Sequence, residues 1–395
     1  MKLLYRLCLL LALCSLSSCW LVRAYRVRKL ELTDHRKLPS VPIAAAEHPF
    51  YFTPVADSVP YRELRASMDR LLTGSGTAAF LIIRNDSLIY ERYFLGFNER
   101  SLLPANSMAK SFAGTLVGIA LEEGALKSDG EPITRYLPEL GRRDPRFHQI
   151  TIRHLLDMRS GIDFNEGSYD LKDDAVRLGF RPNLVKGLLK AKIAEPPGRF
   201  RYQSINTQLL GLIVERATGQ KLQDYLEEKL WKPMGAEAGA TWNVDSRRHK
   251  HVITSAAINA VARDFAKLGR LYIRNGKQGD QQVISEEWVR TVRSIDTMER
   301  NGGYKNQWWS RNVTVNYRDS LGAATAHTSK RYARMQAGGE GYTVQFRTEA
   351  FNASGFLNQI IYVHPAKNLI IVRLGRPWPQ RRQFLRVIYG LGESL

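Results

Sequence analysis

The stretch from Pro104 to Gly124 reads PANSMAKSFAGTLVGIALEEG, and the rest of the chain can be interpreted from it. Apolar residues recur within it at the spacing of a helix: Met108, Phe112, Leu116 and Ile119. This spacing predicts one buried helix, with Gly124 as its C-cap. Gly114 and Gly118 leave room on this helix for another element to pack closely.

Ser107 precedes Lys110 by three residues, so the two side chains share a face of the predicted helix. A serine hydroxyl is a poor nucleophile until a base takes its proton, and an amine one turn away can do this or assist another base. The helix start also offers free backbone N–H groups that favour developing negative charge. Because S-x-x-K is common by chance, an ordinary capped core helix remains the alternative for this segment alone.

The chain has 395 residues, enough for one large domain or two intertwined ones, and its composition does not indicate disorder. Its 58 basic and 38 acidic residues give a formal charge of +20, which can favour nucleic acid, anionic lipid or other acidic polymers. The basic residues are scattered, with clusters only at 23–29 and 373–386. We therefore expect the membrane surface, reached through the N-terminus, as a partner, and no nucleic acid.

Residues 1–19 have the plan of a secretory signal peptide, with a basic start, an apolar run and a small-residue end. The run is too short to span a bilayer comfortably. LSSC, ending at Cys19, resembles a bacterial lipobox, in which the cysteine becomes lipidated; an ordinary cleaved signal or an uncleaved anchor are the alternatives. We expect a protein of the cell envelope, membrane-anchored or periplasmic. All three cysteines lie in this leader, so we expect no disulfide in the body.

The remaining chain predicts three parts in order. Residues 20–60 contain five prolines and no sustained periodicity, which favours a tether along the folded body. The domain spans 61–395: strands at 79–84 and 88–94, a helical insertion over roughly 125–300, then β-rich runs and a closing helix. The pattern predicts an α/β (α+β) fold, in which helices flank an antiparallel sheet built from both chain ends.

Four runs of the sequence occur together and in order: SMAKSFAGTLVGIALEEG, ITIRHLLDMRSGIDF, PPGRFRYQSINTQLLGLIVERATG and ARDFAKLGRLYIRNGKQGDQQVISEEW. Together they resemble the serine β-lactamase and penicillin-binding-protein superfamily, in particular the class C type branch that includes 6-aminohexanoate-dimer hydrolases and related esterases. The resemblance covers about residues 60–395 and implies a β-lactamase-like fold. It also implies a serine hydrolase that cleaves a small amide or ester through an acyl-enzyme, without a metal or organic cofactor.

The resemblance implies roles for particular residues. Ser107 matches the acylated serine and Lys110 its partner lysine, while Tyr202 matches the general base. Where the family's second motif has asparagine, this chain has Ser204, as the nylon-oligomer branch does, and we expect Ser204 to contact substrate. A tyrosine is mostly protonated at neutral pH, and we expect the Lys110 ammonium to stabilise the phenolate and lower the pKa of Tyr202.

The third family motif, a lysine or histidine followed by a small residue and glycine, is where this sequence departs. GFLNQIIYVHP, beginning at Gly355, occupies its place without a basic side chain to bind a carboxylate. This departure disfavours typical β-lactams and D-alanyl peptides. A backbone N–H there can still form an oxyanion hole with that of Ser107. We expect Asn358 to contact substrate, and Trp308 and Trp309 to be core or pocket wall.

Two further functions remain open at this point. Within the same class, the chain could be a β-lactamase or a D-alanyl peptidase. In another class, it could be a non-catalytic sensor or envelope-binding protein that keeps the fold, although retention of Ser107, Lys110 and Tyr202 argues against this. The sequence leaves the oligomeric state open.

Overall fold

The structure is a computed structural model that describes residues 20–27, 31–56, 59–168, 170–294, 303–318, 320–321, 324–325, 333–338 and 341–395. The predicted signal peptide at 1–19, including Cys19, lies outside the described residues. Within the described ranges, no helix is both long and apolar enough to cross a bilayer.

Short and long strands alternate with helices along the chain. The strands are β1 Ser40–Ile43, β2 Thr53–Pro54, β3 Thr77–Arg84, β4 Ser87–Tyr93, β5 Leu103–Pro104, β6 Ile162–Asp163, β7 Lys192–Ile193, β8 Ala240–Asn243, β9 Ile258–Ala260, β10 Lys277–Gln278, β11 Gln281–Gln282, β12 Tyr304–Lys305, β13 Trp308–Tyr317, β14 Arg334–Gly338, β15 Gly341–Gly355, β16 Gln359–His364 and β17 Leu369–Gly375. The α-helices are α1 Trp20–Arg26, α2 Val59–Leu72, α3 Ala109–Glu122, α4 Pro138–Arg143, α5 Ile152–Leu156, α6 Asp174–Gly179, α7 Leu184–Leu188, α8 Ser204–Thr218, α9 Leu222–Leu226, α10 Ala262–Ile273, α11 Glu286–Arg293 and α12 Arg381–Ser394.

The main sheet joins the two ends of the chain. In the described part its order is β12-β13-β15-β16-β17-β3-β4-β2, with β14 also paired to β15. Strands β17 and β3 pair antiparallel, Leu369 opposite Arg84 and Leu374 opposite Ala79. Only the short β2–β4 contact is parallel among the pairings described. The prediction of an antiparallel sheet built from both chain ends and flanked by helices is confirmed.

Helices cover both faces of this sheet because β3 is apolar on both sides. Its residues alternate in direction, so Phe80 and Ile82 pack with α2 and α12, whereas Leu81 and Ile83 pack with the long helices of the middle region. The hairpin from β3 to β4 turns at Asn85 and Asp86, whose φ angles are +51° and +61°. Asparagine and aspartate tolerate this left-handed conformation, which matches the twist of a two-residue hairpin.

Helix α3 is buried along nearly its whole length, as its apolar spacing predicts. The two glycines within it let other elements approach closely. A Cβ atom on Gly114 would lie 2.6 Å from the Asn306 carbonyl oxygen, and one on Gly118 would lie 2.4 Å from the Trp288 ring. Gly124 follows the helix with φ +73°. The helix that carries the candidate nucleophile is therefore fixed deep in the body.

The stretch 20–60, predicted to be a tether along the body, is built into the fold where it is described. Strand β1 pairs with β8, and Ile43 and Phe52 belong to the main apolar core. Helix α1 contacts α6, and the Asn243 side-chain amide donates to the His35 carbonyl at 2.9 Å. The described residues 31–56 of this predicted tether thus lie along the body through short paired strands, which give too little periodicity to be recognised in the sequence.

Candidate active site

Ser107 lies in a 3-10 turn, Asn106–Met108, that leads directly into α3. Asn106 has φ +48°, and its side-chain amide donates to the Phe356 carbonyl oxygen at 2.9 Å. The end of β15 also runs against this turn: a Cβ atom on Gly355 would lie 2.5 Å from the Ala105 carbonyl oxygen and 3.1 Å from the Ser107 nitrogen. The serine backbone therefore lies beside a strand end that only glycine allows to come so close.

Lys110 is buried and has three hydrogen-bond neighbours. Its Nζ lies 3.0 Å from the Oγ of Ser107, 3.0 Å from the Oγ of Ser204 and 3.0 Å from the Ser255 carbonyl oxygen. The side chain is 1% exposed. Burial lowers the pKa of Lys110 to about 8, although the nearby Glu166 carboxylate opposes the shift. Roughly a tenth of the amine is therefore neutral at pH 7 and about half at pH 8.

These three neighbours define where the lone pair of the neutral amine points. The Ser255 carbonyl can only accept, and the Ser204 hydroxyl donates its own proton to Glu166 Oε1 at 2.6 Å. Both of them therefore accept the two N–H groups of a neutral Lys110. The Ser107 oxygen accepts from the charged amine, and once the amine is neutral the Ser107 hydroxyl is the neighbour that can turn its proton to the lysine lone pair. The geometry can thus carry a proton from serine to lysine directly.

Glu166 was not predicted as a site residue. Besides the hydroxyl contact, its Oε2 accepts the backbone N–H of Ser204. The loop that carries it is held by Gln203, whose side-chain amide donates to the carbonyls of Ile162 at 3.1 Å and Phe164 at 2.8 Å. The sequence around it, GIDFNEG, offers two carboxylates and gives no local signal for which one reaches the site.

Tyr202 precedes α8 and forms a hydrogen bond with the side chain of Ser107. Its ring stacks on Trp309 at a centroid distance of 5.4 Å and meets Tyr304 edge-on at 5.8 Å. Loss of water in this aromatic setting raises the pKa of Tyr202, and the Glu166 carboxylate raises it further. The expectation that Lys110 lowers this pKa is wrong, because the ammonium lies over the ring face, 5.0 Å from its centroid, and does not offset the desolvation. Trp308 and Trp309, predicted to be core or pocket wall, differ: Trp308 is buried in the core, and Trp309 stacks on Tyr202 and is not part of the cleft lining.

Asn358, predicted to contact substrate, does not line the cleft described below. Leu357 and Asn358 have φ +64° and +62°, and this left-handed turn leads Asn358 away. Its side-chain oxygen accepts the backbone N–H of Trp378 at 2.9 Å. Phe356, two residues earlier, lines the cleft instead. The prediction is corrected accordingly.

A cleft that is open to solvent lies over the candidate site. Ser107, Ser204 and Glu166 line it. Its lining also includes Val27 and Leu38, from the stretch predicted to be a tether. Among the described residues that line it, none is lysine or arginine, although the whole chain carries +20. The missing basic side chain of the third motif is therefore not replaced from elsewhere in the described lining.

A buried lysine beside a serine at a helix start, over an open cleft, defines the class of serine hydrolases with a β-lactamase fold. The Beta-lactamase family profile matches residues 64–381, and the chain belongs to that family. The 6-aminohexanoate-dimer hydrolase of Paenarthrobacter ureafaciens is 29% identical over 284 residues, 66% of this chain and 70% of the relative. Esterase EstB of Burkholderia gladioli is 28% identical over 194 residues, 43% and 47% of the two chains.

Solved structures show the same fold. A protein from Bacillus anthracis, provisionally described as a 6-aminohexanoate-dimer hydrolase, superimposes with a TM-score of 0.72 at 22% identity, over 91% of this chain and 92% of its own. A class C β-lactamase superimposes with a TM-score of 0.59 at 17% identity, over 86% and 98%. The protein is accordingly an enzyme, a serine hydrolase that acts on an amide or ester.

Proposed function

We propose that Ser107 is the nucleophile and neutral Lys110 the base of an acyl-enzyme mechanism. The observation that carries this proposal is the set of three neighbours around the lysine amine, which directs its lone pair to the Ser107 hydroxyl. The Ser107 oxygen forms a bond to the substrate carbonyl carbon while its proton passes to Lys110. The carbonyl electrons move to the oxygen, giving a tetrahedral oxyanion.

The oxyanion is held by the N–H of Ser107 and a backbone N–H at the junction after Gly355. The close contact of Gly355 with the serine turn supports this role, because the two backbones are adjacent. The carbon–leaving-group bond then breaks, and the Tyr202 hydroxyl, which is hydrogen-bonded to the Ser107 side chain, donates its proton to the leaving group, while protonated Lys110, 5.0 Å from the centre of the Tyr202 ring, balances the negative charge left on the tyrosine. Tyr202 acts here as a neutral phenol, since its pKa is raised. Water then attacks the acyl carbon and gives a proton to Tyr202, the bond from that carbon to the Ser107 oxygen breaks, and Lys110 returns its proton to the serine oxygen.

The substrate class is a small amide or ester without a carboxylate near the scissile bond. The names of the relatives support both bond types: one is a hydrolase of the 6-aminohexanoate dimer and another an esterase. The described cleft lining, which holds Glu166 and neither lysine nor arginine, disfavours anionic substrates. A β-lactamase or D-alanyl peptidase activity is therefore less well supported, because both need a contact for a carboxylate.

Ser107→Ala tests the proposal. We expect hydrolysis of p-nitrophenyl acetate to fall by at least about 10⁴-fold, because removing a nucleophile eliminates the covalent route. Far-UV circular dichroism and the thermal midpoint should remain those of the wild type, since Ser107 is only partly buried. Penicillin should not be turned over by either protein. Unchanged ester turnover in a folded variant would reject Ser107 as nucleophile.

We also propose that the N-terminus attaches the enzyme to the membrane in the cell envelope. The leader ending at Cys19 and the basic residues Arg26, Arg28 and Lys29 that follow it in the sequence support this location. Expression of the full chain in bacteria, followed by separation of membranes, should recover it in the membrane fraction. Cys19→Ala should release it if the cysteine is lipidated, and retention of the variant would assign the anchoring to the leader itself.

A further inference from the structure

The cleft continues beyond Ser107 into a recess that the proposed chemistry does not use. Its wall is formed by apolar side chains from three separate parts of the chain: Val27, Leu38, Val176, Leu178, Phe180 and Ile253. Ser107 and Ser204 line the same cleft as these apolar side chains. One part of a substrate can therefore occupy the recess while Ser107 attacks the carbonyl carbon of the same molecule.

The N-terminal part of this wall is held in place by hydrogen bonds. The backbone N–H of Glu31 donates to Asp34 Oδ2 at 2.9 Å, and the His35 carbonyl accepts from Asn243 at 2.9 Å. Directly after Leu38, strand β1 pairs with β8. The backbone that carries Leu38 is therefore already fixed, so binding of a ligand does not incur the free-energy cost of ordering this segment.

The position of Tyr202 indicates which part of a substrate the recess faces. Under the proposed function, the Tyr202 hydroxyl protonates the leaving group, which must therefore lie beside this tyrosine. Tyr202 is not part of the cleft lining, whereas Ser204 and Glu166 are. The recess consequently faces the acyl group.

We infer that the recess binds an apolar, uncharged acyl chain, with Val27 and Leu38 of the N-terminal stretch as part of its wall. This inference rests on the proposed function and names its substrate class. Each methylene removed from water in the recess should raise kcat/KM by up to about fourfold. A carboxylate on the acyl chain is disfavoured, because the described lining contains three carboxylate side chains, Glu31, Asp34 and Glu166, which would repel it. The lining also contains His35.

The test is a series of p-nitrophenyl esters with one leaving group and acyl chains of increasing length, used with the full-length protein. We expect kcat/KM to rise from acetate through butyrate to hexanoate, and the hemisuccinate to react more slowly than the butyrate. Leu38→Asn should lower the ratio of hexanoate to acetate turnover several-fold. Leu171→Asn is the matched control, because Leu171 is 51% exposed and outside the cleft lining, and should leave the ratio unchanged.

Binding to the Ser107→Ala variant separates this inference from the mechanism. Calorimetric titration with the intact hexanoate and acetate esters should show tighter binding of the hexanoate, and Leu38→Asn in the same background should remove the difference. If wild-type protein hydrolyses no ester but the chain-length preference in binding persists, the recess stands and the proposed catalysis fails. A flat series in both turnover and binding, or a preference that Leu38→Asn leaves intact, overturns the inference.

Discussion

The lysine at the centre of the site has a pKa that should be visible in the rate. Because burial lowers the pKa of Lys110 to about 8, the amine is protonated below that pH and neutral above it. If the neutral amine is the base, kcat/KM should rise about tenfold per pH unit below 8 and level off above it. The measurement is kcat/KM for a neutral ester between pH 5.5 and 9.5. A rate that is flat across pH 8, or that falls above it, contradicts the assignment.

Glu166 should affect the pH at which kcat/KM rises. Its negative charge raises the pKa of Lys110, so Glu166→Gln should move the rising limb of the pH profile to lower pH. Asp163→Asn is the matched control, because Asp163 is an exposed carboxylate of the same loop, and its profile should stay in place. A limb that moves to higher pH, or that moves equally in both variants, would show that Glu166 does not act on the lysine.

The residues of the first motif, Ser107 and Lys110, could be predicted because they are close in sequence, whereas Glu166 could not because a tertiary contact brings it to the site. Ser107 and Lys110 are separated by three residues, so their proximity follows from helical geometry alone. Glu166 reaches Ser204 only because Gln203 holds the loop that carries it, which is a tertiary contact. The pKa of Tyr202 was predicted in the wrong direction because sequence does not reveal the surrounding rings of Tyr304 and Trp309.

The junction between β15 and β16 positions the serine turn, and Gly355 is where the two elements meet. In Gly355→Ala the new Cβ would lie 2.5 Å from the Ala105 oxygen, so the strand end must move away from Ser107. Because misplacement by about 1 Å can cost 10²-fold in rate, we expect kcat to fall by about that factor. The measurement is steady-state ester hydrolysis at saturating substrate.

The control for this substitution is Gly390→Ala in α12, where a Cβ meets nothing within 4 Å. It should leave kcat unchanged and stabilise the helix by about 0.5–1 kcal/mol. Equal rates for the wild type and Gly355→Ala would mean that the junction does not position the site.

Among the helices and strands, those with a regular pattern of apolar or turn-forming residues could be predicted from the sequence. The hairpin at Asn85 and Asp86 and the buried helix after Ser107 are of this kind. The turn at Leu357 and Asn358 is different, since leucine rarely adopts positive φ and nothing local announces it. Arg373 helps to hold it by donating to the Leu357 carbonyl at 2.7 Å, a partner sixteen residues away in sequence. Asn358 was therefore assigned to the cleft incorrectly.

The molecule as a whole should unfold in one step, because β3 near the start pairs with β17 near the end. Neither the sheet nor the apolar layers on its faces can be completed by one half of the chain. We expect urea unfolding to give the same midpoint by far-UV circular dichroism, tryptophan fluorescence and residual esterase activity. Loss of activity well before loss of secondary structure would indicate that the site region opens independently.

Charge is also distributed unevenly over the whole molecule. The sequence predicted a basic protein, and its formal charge is +20, yet the described lining of the cleft has no lysine or arginine. The net charge of the chain therefore does not indicate the charge of the site. The apolar recess could not be predicted either, because its wall combines residues far apart in the sequence, such as Leu38 and Ile253.

The most direct test of an activated serine is intact-mass analysis after treatment with a fluorophosphonate. The wild-type protein should gain one adduct, and Ser107→Ala should gain none, because only a serine whose proton can pass to Lys110 is reactive enough to be labelled. Labelling of the wild type should increase with pH through about 8, following the pKa of Lys110. No adduct on the wild type, or an adduct that persists in Ser107→Ala, would contradict the assignment of Ser107 as nucleophile.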